Sequence, residues 1–188
     1  MNSKIYNLSL CAIAIAINIV LGNIVSLFQI PFLFLDTIGT LFIAAIFGPL
    51  YGLAVGTATS LLAPILLGNF TFSLFVIVSA SVGLFSGIMF KKMKFTPLSM
   101  IIIGIVISVI SAFIGSWIKL IVFGGYSGEL SDIAFAILSN SGLSEFISMF
   151  ISRFSYNIVD KILSCYIVYI LYNKLKKSGV RLPNNISA

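Results

Sequence analysis

The sequence has 188 residues, of which 60% are hydrophobic and 9% are charged, and its formal net charge is +6. Because about a quarter of the residues in soluble domains are charged, this composition predicts an integral membrane protein and excludes an ordinary soluble domain. At about 20 residues per span, the length allows six transmembrane helices in one domain and leaves no room for a soluble catalytic domain.

Most of the basic residues lie in short clusters between or beyond the apolar runs. These residues are Lys4, Lys91, Lys92, Lys94, Lys174, Lys176, Lys177 and Arg181. Such clusters are typical of cytoplasmic loops under the positive-inside rule. We therefore attribute the positive charge to membrane topology and expect no nucleic-acid partner.

Several kinds of chemistry are excluded by residue types that the chain lacks. It contains no histidine, which excludes His-ligated zinc and Ser-His or Cys-His catalysis. No segment matches the P-loop pattern, so we expect the chain not to hydrolyse nucleotides itself. Cys11 and Cys165 lie far apart within apolar runs, and we interpret both as small core residues. We expect neither a metal nor a cofactor.

The first predicted helix covers residues 5–27. We interpret it as a retained span because only one lysine precedes it and no small-residue cleavage signature follows. Ala12 and Ala16 are four residues apart and form a small-residue strip on one helical face. Such a strip serves either ordinary bundle packing or the docking of a partner helix. The loop that follows contains no basic residue, so we expect it to face outward.

The second and third predicted helices, 31–48 and 50–67, form a tight hairpin. Asp36 and Thr40 stand at the entrance of this hairpin, where a lone acid is costly unless it has a function. Glycines recur every fourth residue across the turn and form one stripe that lets two backbones approach closely; they are Gly48, Gly52 and Gly56.

The fourth and fifth predicted helices, 70–90 and 97–123, carry similar stripes of small residues. The stripe on the fourth helix consists of Ser79, Gly83 and Gly87, and that on the fifth of Gly104, Ser108, Ala112 and Ser116. Three such stripes predict a tightly packed helical bundle.

The long connection 124–152 is predicted to lie at the outer face. Its residues 143–152 alternate between an apolar and a polar side with helical period, which predicts an amphipathic helix that acts as a lid. A seventh span there would place the final basic cluster outside, against the charge rule. We therefore predict an all-α membrane protein with six transmembrane helices, an amphipathic loop helix between helices five and six, and both termini in the cytoplasm.

The sixth predicted helix, 154–173, opens with several polar residues on one broad face. At 1.5 Å per residue, Asp160 and Lys161 are expected about 10 Å below its outer end. An ionisable pair inside a membrane indicates a functional site by default, although such a pair can also serve only to hold two helices in register.

Polar side chains from several helices are predicted to meet at the outer end and to form a ligand site. The candidate substrate-binding residues are Asp36, Thr40, Asn69, Trp117, Asn140, Glu145, Arg153, Asn157, Asp160 and Lys161. Many aromatic residues lie at the same end, and they suit either a small heteroaromatic ligand or the aromatic belt of a membrane interface. No pair of acids at helical spacing lies within a span, so we do not expect an enzyme.

Three features resemble the substrate-binding S component of energy-coupling factor (ECF) vitamin transporters. They are Ala12 and Ala16 in helix one, the run GPLYGLAVG from Gly48 to Gly56, and the YNIVDKILS opening of helix six. The resemblance implies that the alanine strip contacts a transmembrane coupling subunit, which works with two ATPase subunits. It also implies a ligand near the outer surface, enclosed by the first loop and the later helices, and reorientation of the whole bundle to release it.

The residues leave the identity of the ligand open. Asp36 and Glu145 favour a ligand with an amine or several hydroxyls, such as a B6 vitamer or a nucleoside, whereas Arg153 and Lys161 favour an anionic one. A membrane-embedded sensor or receptor module without transport partners is the alternative function.

Overall fold

The computed structural model describes residues 3–179, and this part of the chain is helical without strands. Arg181 of the predicted C-terminal basic cluster lies outside the described residues. A short 3-10 helix, Phe70–Phe75, precedes the fourth α-helix. The α-helices are α1 (Ser3–Leu27), α2 (Ile38–Phe47), α3 (Pro49–Leu66), α4 (Val76–Lys92), α5 (Pro97–Phe123), α6 (Ser131–Asn140) and α7 (Glu145–Lys177).

Five of these helices are long and apolar enough to cross a membrane. They are α1, α3, α4 together with its 3-10 segment, α5 and α7. The chain is therefore a multi-pass membrane protein. The predicted spans 50–67 and 97–123 agree with α3 and α5 to within a residue.

The predicted second span, 31–48, is wrong at its start, because α2 begins only at Ile38 and has 10 residues. A helix of this length measures about 15 Å and does not cross a bilayer alone. Gln29, Phe32 and Leu35 have φ angles of 47°, 61° and 50°, which lie in the left-handed region and prevent a continuous helix. Residues 28–37, called the first loop below, connect α1 to α2 instead, and Thr37 at their end is buried. Helix α2 packs against α1, α3, α4 and α7.

The predicted lid helix over 143–152 is not a separate element. It forms the first turns of α7, which runs without a break from Glu145 to Lys177 and is much longer than the predicted span 154–173. Its polar residues Ser148 and Ser152 are buried, whereas Ile147 and Ile151 are exposed. This orientation is expected in lipid, since the apolar side faces the acyl chains and the polar side finds partners inside the bundle. The connection contains a different short helix, α6.

The glycine stripes bring α3 and α4 into backbone contact, as the sequence predicts. A Cβ atom at Gly52 would lie 2.6 Å from both the Cβ of Ala44 and the carbonyl oxygen of Gly83. At the other end of the pair, a Cβ at Gly87 would lie 2.5 Å from the Cα of Pro49. The turn between α2 and α3 is a single residue, Gly48, with a φ of 94°. Close approach of this kind holds helices together where no hydrophobic effect acts between them.

The two ends of the bundle differ in charge. The first loop, the 3-10 segment and residues 124–144 lie at one end, because the first loop and the 3-10 segment contact the start of α7, and residues 124–144 contact the same turns of that helix. Asp36, Glu129, Asp132 and Glu145 belong to this end, whereas Lys91, Lys92, Lys174, Lys176 and Lys177 lie at the other. We call the first the acidic end.

Replacement of Gly52 by alanine is expected to destabilise the bundle by about 1–3 kcal/mol through overpacking. Alanine is the better helix former by about 1 kcal/mol, so a loss of stability would come from the collision with Gly83 and Ala44. Thermal unfolding in detergent measures the effect. Ala54→Val, on the exposed side of the same helix, is the control, and a Gly52→Ala variant with a raised Tm would contradict the prediction.

Candidate functional site

Asp160 of α7 holds the first loop through its backbone. One carboxylate oxygen, Oδ1, accepts hydrogen bonds from the N–H groups of Phe34 and Leu35, each at 2.8 Å. The other oxygen, Oδ2, accepts a bond from Nζ of Lys161 at 2.6 Å. Asp160 is fully buried, so all of its contacts replace contacts with water. The predicted intramembrane acid is therefore the attachment point of the first loop.

Lys161 connects this attachment to the acid of the first loop itself. Its Nζ donates to Oγ1 of Thr37 at 3.1 Å and to Oδ1 of Asp36 at 3.4 Å, in addition to its bond with Asp160. The side chain of Asp36 is 47% exposed, whereas that of Lys161 is 5% exposed. Asp36, Thr37, Asp160 and Lys161 are called the first-loop cluster below. It contains two carboxylates and one ammonium group.

A second group of charges lies between α5, α6 and α7. Nζ of the fully buried Lys119 donates to Oε2 of Glu129 and to Oγ of Ser131, each at 2.9 Å, and forms an ion pair with Asp132. Nη1 of Arg153 lies 3.4 Å from the same oxygen of Glu129. These five residues are called the α6 cluster below, and they anchor residues 124–132 on the bundle.

The electrostatics of the α6 cluster keep Glu129 ionised. Burial works to raise the pKa of this carboxyl, but the charges of Arg153 and Lys119 outweigh burial and hold the pKa below its ordinary value. Asp132 is held from the other side, since its Oδ2 accepts the backbone N–H groups of Ser127 and Gly128 at 2.8 Å. The loop before α6 is thus fastened by carboxylates at both of its acidic positions.

Thr40, a predicted ligand-binding residue, belongs to a third polar group in the interior. Nδ2 of Asn18 donates to the hydroxyl oxygens of Thr40 and Thr59 at 2.9 and 3.1 Å. Oδ1 of Asn18 accepts the backbone N–H of Gly39 at 2.7 Å. All of these side chains are buried. The arrangement joins α1, α2 and α3, and it uses both polar atoms of the asparagine within the protein.

The remaining predicted site residues divide into a buried and an exposed group. Asn157 is buried and donates from Nδ2 to the carbonyl oxygen of Arg153 at 2.8 Å. Asn69, Asn140 and Glu145 are exposed at the acidic end. Trp117 is 48% exposed on the outer surface of α5, where its ring packs on Phe146 at 4.7 Å. The structure therefore brings Asp36, Arg153, Asp160 and Lys161 into the two clusters and leaves the others at the surface or in helix contacts.

The sequence reasoning missed Lys119 and Asn18 as central residues. Lys119 is the one charged residue of α5, within an otherwise apolar helix of 27 residues, and this isolation was a usable signal for a buried, paired charge. Asn18 was likewise a polar residue in the apolar run of α1. Only the three-dimensional arrangement reveals that Lys119 pairs with the acids of the long connection.

Two aromatic groups accompany the clusters. Phe32 of the first loop stacks on Tyr156 of α7, with ring centroids 4.5 Å apart. Rings from the 3-10 segment and the end of α5 form a second group, with centroids 5.0–6.1 Å apart: Phe72, Phe75 and Phe123. The guanidinium of Arg153 lies over the ring of Phe75 at 5.0 Å. Flat apolar surfaces beside charged groups are typical of sites for small aromatic ligands.

Other locations offer less for a polar ligand. A groove of about 500 Å³ on α7 is lined by Ile158, Val159, Ile162, Leu163 and Tyr166. Its lining is apolar, and it lies on the exposed surface of α7, whereas Asp160 and Lys161 are buried. Within residues 3–179 no group of three or more Cys, Asp or Glu side chains could hold a metal ion.

Asp160→Asn is expected to loosen the first loop, because the neutral amide no longer pairs with Lys161 and binds the two loop N–H groups more weakly. Hydrogen exchange measured by mass spectrometry should show faster exchange in peptides that cover residues 28–37. Glu145→Gln removes an exposed acid of the same helix and serves as the control. Unchanged exchange in the Asp160→Asn variant would mean that the loop is held by other contacts.

Lys119→Met is expected to lower the free energy of unfolding by about 3 kcal/mol, because it leaves Glu129 and Asp132 without their buried partner. The measurement is thermal unfolding in detergent, and residues 124–132 should become protease-sensitive first. Lys177→Met removes the same charge from an exposed position. Equal stability of the two variants would contradict the assigned role of Lys119.

A family model described as "ECF transporter, substrate-specific component" matches residues 7–172. No curated protein and no solved structure matches the chain significantly. The matched region contains both clusters and covers most of the 188 residues, so the resemblance predicted from the sequence is confirmed. The chain belongs to the family of substrate-specific components of ECF transporters.

Proposed function

We propose that this protein captures a small water-soluble vitamin or related micronutrient at its acidic end, for ATP-driven uptake powered by partner subunits. The observation that carries the proposal is the attachment of the first loop to the fully buried Asp160. Charged groups inside a membrane bundle are costly and occur mainly where they serve function. Here they gather at one end of the bundle, beside aromatic rings.

The ligand site that we propose lies between the first-loop cluster and the α6 cluster. Arg153 and Lys161 both belong to α7, eight positions apart, and therefore lie about 12 Å apart along the helix axis. Asn157 lies between them on the same buried side. A vitamin-sized molecule matches this separation, and Tyr156 with Phe32 provides a flat apolar surface. Asn69, Asn140 and Glu145 form the outer rim.

Binding requires movement, because the groups of each cluster contact one another directly. The first loop must detach from Asp160 or tilt away from it before a ligand can reach Lys161 from outside. The left-handed residues of this loop make it a local structure that depends on contacts with α7. We infer that the first loop opens and closes the site.

The charge distribution supports an orientation with the acidic end outside. Lysines at the opposite end include Lys91, Lys92 and Lys174, and clusters of this kind remain in the cytoplasm. Both termini would then be cytoplasmic. A binding site at the outer end is the position from which an importer can collect a scarce solute.

The alanine strip of α1 is available for a partner helix. Ala12 and Ala16 are exposed, whereas Ala14 and Asn18 on the other side of the helix are buried. Their small side chains allow a partner backbone to approach closely. We propose that this strip contacts the transmembrane coupling subunit, which associates with two ATPase subunits.

Ala12→Trp or Ala16→Trp is expected to abolish co-purification of the coupling subunit and the ATPases, because the indole ring blocks close helix contact. Ligand binding and Tm should change little, since both positions are exposed. Val109→Trp, at an exposed position of α5, is the control for a bulky ring on the outer surface. If the protein is a sensor without transport partners, no ATPase will co-purify even with the unsubstituted protein.

Purification of the full chain followed by mass spectrometry should identify a small polar molecule that is retained by the protein. Removal of that molecule is expected to lower the Tm, and adding it back should restore the Tm, with a rise that follows the logarithm of the ligand concentration above its Kd. If the protein carries no small molecule and no vitamin raises its Tm, the proposed function is wrong.

A further inference from the structure

Arg153 is buried with most of its hydrogen-bond donors unused. The residue is 8% exposed, and within residues 3–179 its guanidinium makes one hydrogen bond, from Nη1 to Oε2 of Glu129 at 3.4 Å. Its Nε is buried without a partner. A guanidinium has five N–H donors, and buried polar groups in native proteins are nearly always paired. The guanidinium therefore has donors left for a further partner.

The surroundings of the guanidinium are shaped to receive it. The ring of Phe75 covers it at 5.0 Å. Gly115 of α5 has no side chain to obstruct the guanidinium, and a Cβ atom there would lie only 2.8 Å from Nε and from Nη2. One turn away on α5, the hydroxyl of Ser111 is also buried without a partner. Two helices thus bring unpaired polar groups to the same region.

The hydrogen bond between Glu129 and Arg153 is long. Its Oε2 lies 2.9 Å from Nζ of Lys119 and 3.2 Å from Oγ of Ser131, but 3.4 Å from Nη1 of Arg153. Lys119 and Ser131 can therefore retain Glu129 when Arg153 takes another partner.

Open space borders part of the loop that carries Glu129. Gly124, Gly125 and Gly128 precede Glu129 and have φ angles of 59°, 92° and 83°. A Cβ atom at Gly124 or Gly128 would meet nothing within 4 Å. The side chain of Glu129 is 27% exposed, so water is available to a carboxylate that withdraws from Arg153.

We propose that Arg153 binds an anionic group of the transported ligand, a carboxylate or a phosphate, and that Glu129 occupies this position until the ligand replaces it. The inference rests on the proposed function and adds the chemical class of its substrate. A carboxylate or a phosphate can accept two parallel N–H bonds from a guanidinium, whereas Glu129 accepts only one, at 3.4 Å. The exchange replaces one carboxylate by another, so the charge facing Arg153 changes little.

The first experiment compares ligands that differ only in this charge. Thermal shifts of the purified full chain are measured with nicotinate and nicotinamide, pyridoxal phosphate and pyridoxal, and pantothenate and panthenol. The molecule that co-purifies is added, together with its derivative in which the acid is an amide or an alcohol. The anionic member of a pair is expected to stabilise the protein, and its neutral counterpart to bind at least about tenfold more weakly. A neutral natural ligand would overturn the inference.

The second experiment uses variants whose effects should have opposite signs. Arg153→Lys keeps the charge but loses the fork of donors, and it should weaken binding of the anionic ligand about 10- to 100-fold. Gly115→Ala keeps the arginine, displaces its guanidinium and should act in the same direction. Glu129→Gln removes the competing carboxylate and should strengthen binding. Lys177→Gln removes a charge from an exposed position at the opposite end of the bundle, and it is the control.

The outcomes separate this inference from the function on which it rests. If a ligand binds and is coupled to the ATPases, but Arg153→Lys and Gly115→Ala leave its affinity unchanged, the inference fails and the function remains. A loss of affinity in Glu129→Gln as large as in Arg153→Lys would also overturn it, because Glu129 would then be part of the site. If no ligand binds and no partner is recovered, the proposed function fails and the inference fails with it.

Discussion

The structure depends on the pairing of buried charges within a bundle that is otherwise apolar. In lipid, a carboxylate or ammonium group has no water to solvate it, so it stays charged only where the protein supplies partners. Asp160 obtains them from two backbone N–H groups and Lys161, and Lys119 obtains them from Glu129, Ser131 and Asp132. Apart from Lys161, which neighbours Asp160 on α7, these partners belong to the segments that connect the long helices. The same charges therefore determine where the first loop and the segment before α6 lie.

This arrangement divides the protein into a rigid part and an adjustable part. Glycine contacts join α3 to α4, and a Cβ at Gly104 of α5 would lie 2.8 Å from the Cα of Ile162 on α7. Such contacts leave little freedom for one helix to move against another. The connections at the acidic end are held by hydrogen bonds and ion pairs, which polar groups of a ligand can replace one for one. This division suits a protein whose helices move as one body while the loops at its outer end exchange hydrogen-bond partners with a ligand.

The sequence predicted the helices better than it predicted their ends. The starts of α3 and α5 were predicted to within a residue because each helix begins with a proline, after Gly48 and Thr96 respectively. It failed at residues 31–37, which were predicted to begin the second span, because Asp160, more than a hundred residues later, holds the backbone of Phe34 and Leu35 outside a helix. It also failed at α7, because the amphipathic pattern of 143–152 does not reveal whether the polar side faces water or the protein interior. Of the two clusters, the charged residues on α7 were recognisable from the sequence, whereas the pairing of Lys119 with Glu129 and Asp132 required the fold.

The site combines an excess of acid with an arginine that has spare donors. The two clusters contain Asp36, Glu129, Asp132 and Asp160 against Lys119, Arg153 and Lys161. Net charge alone would favour a cationic ligand, yet three of these acids are already bound by backbone N–H groups or by Lys119. Glu129 and Asp36 are the exposed acids, and each shares its cation with another carboxylate. A ligand can replace only those bonds that are easily broken. In the α6 cluster the longest hydrogen bond is the one between Glu129 and Arg153, at 3.4 Å. Since any group that displaces Glu129 must offer Arg153 what Glu129 offers, the α6 cluster selects for an anion despite its acidic surroundings.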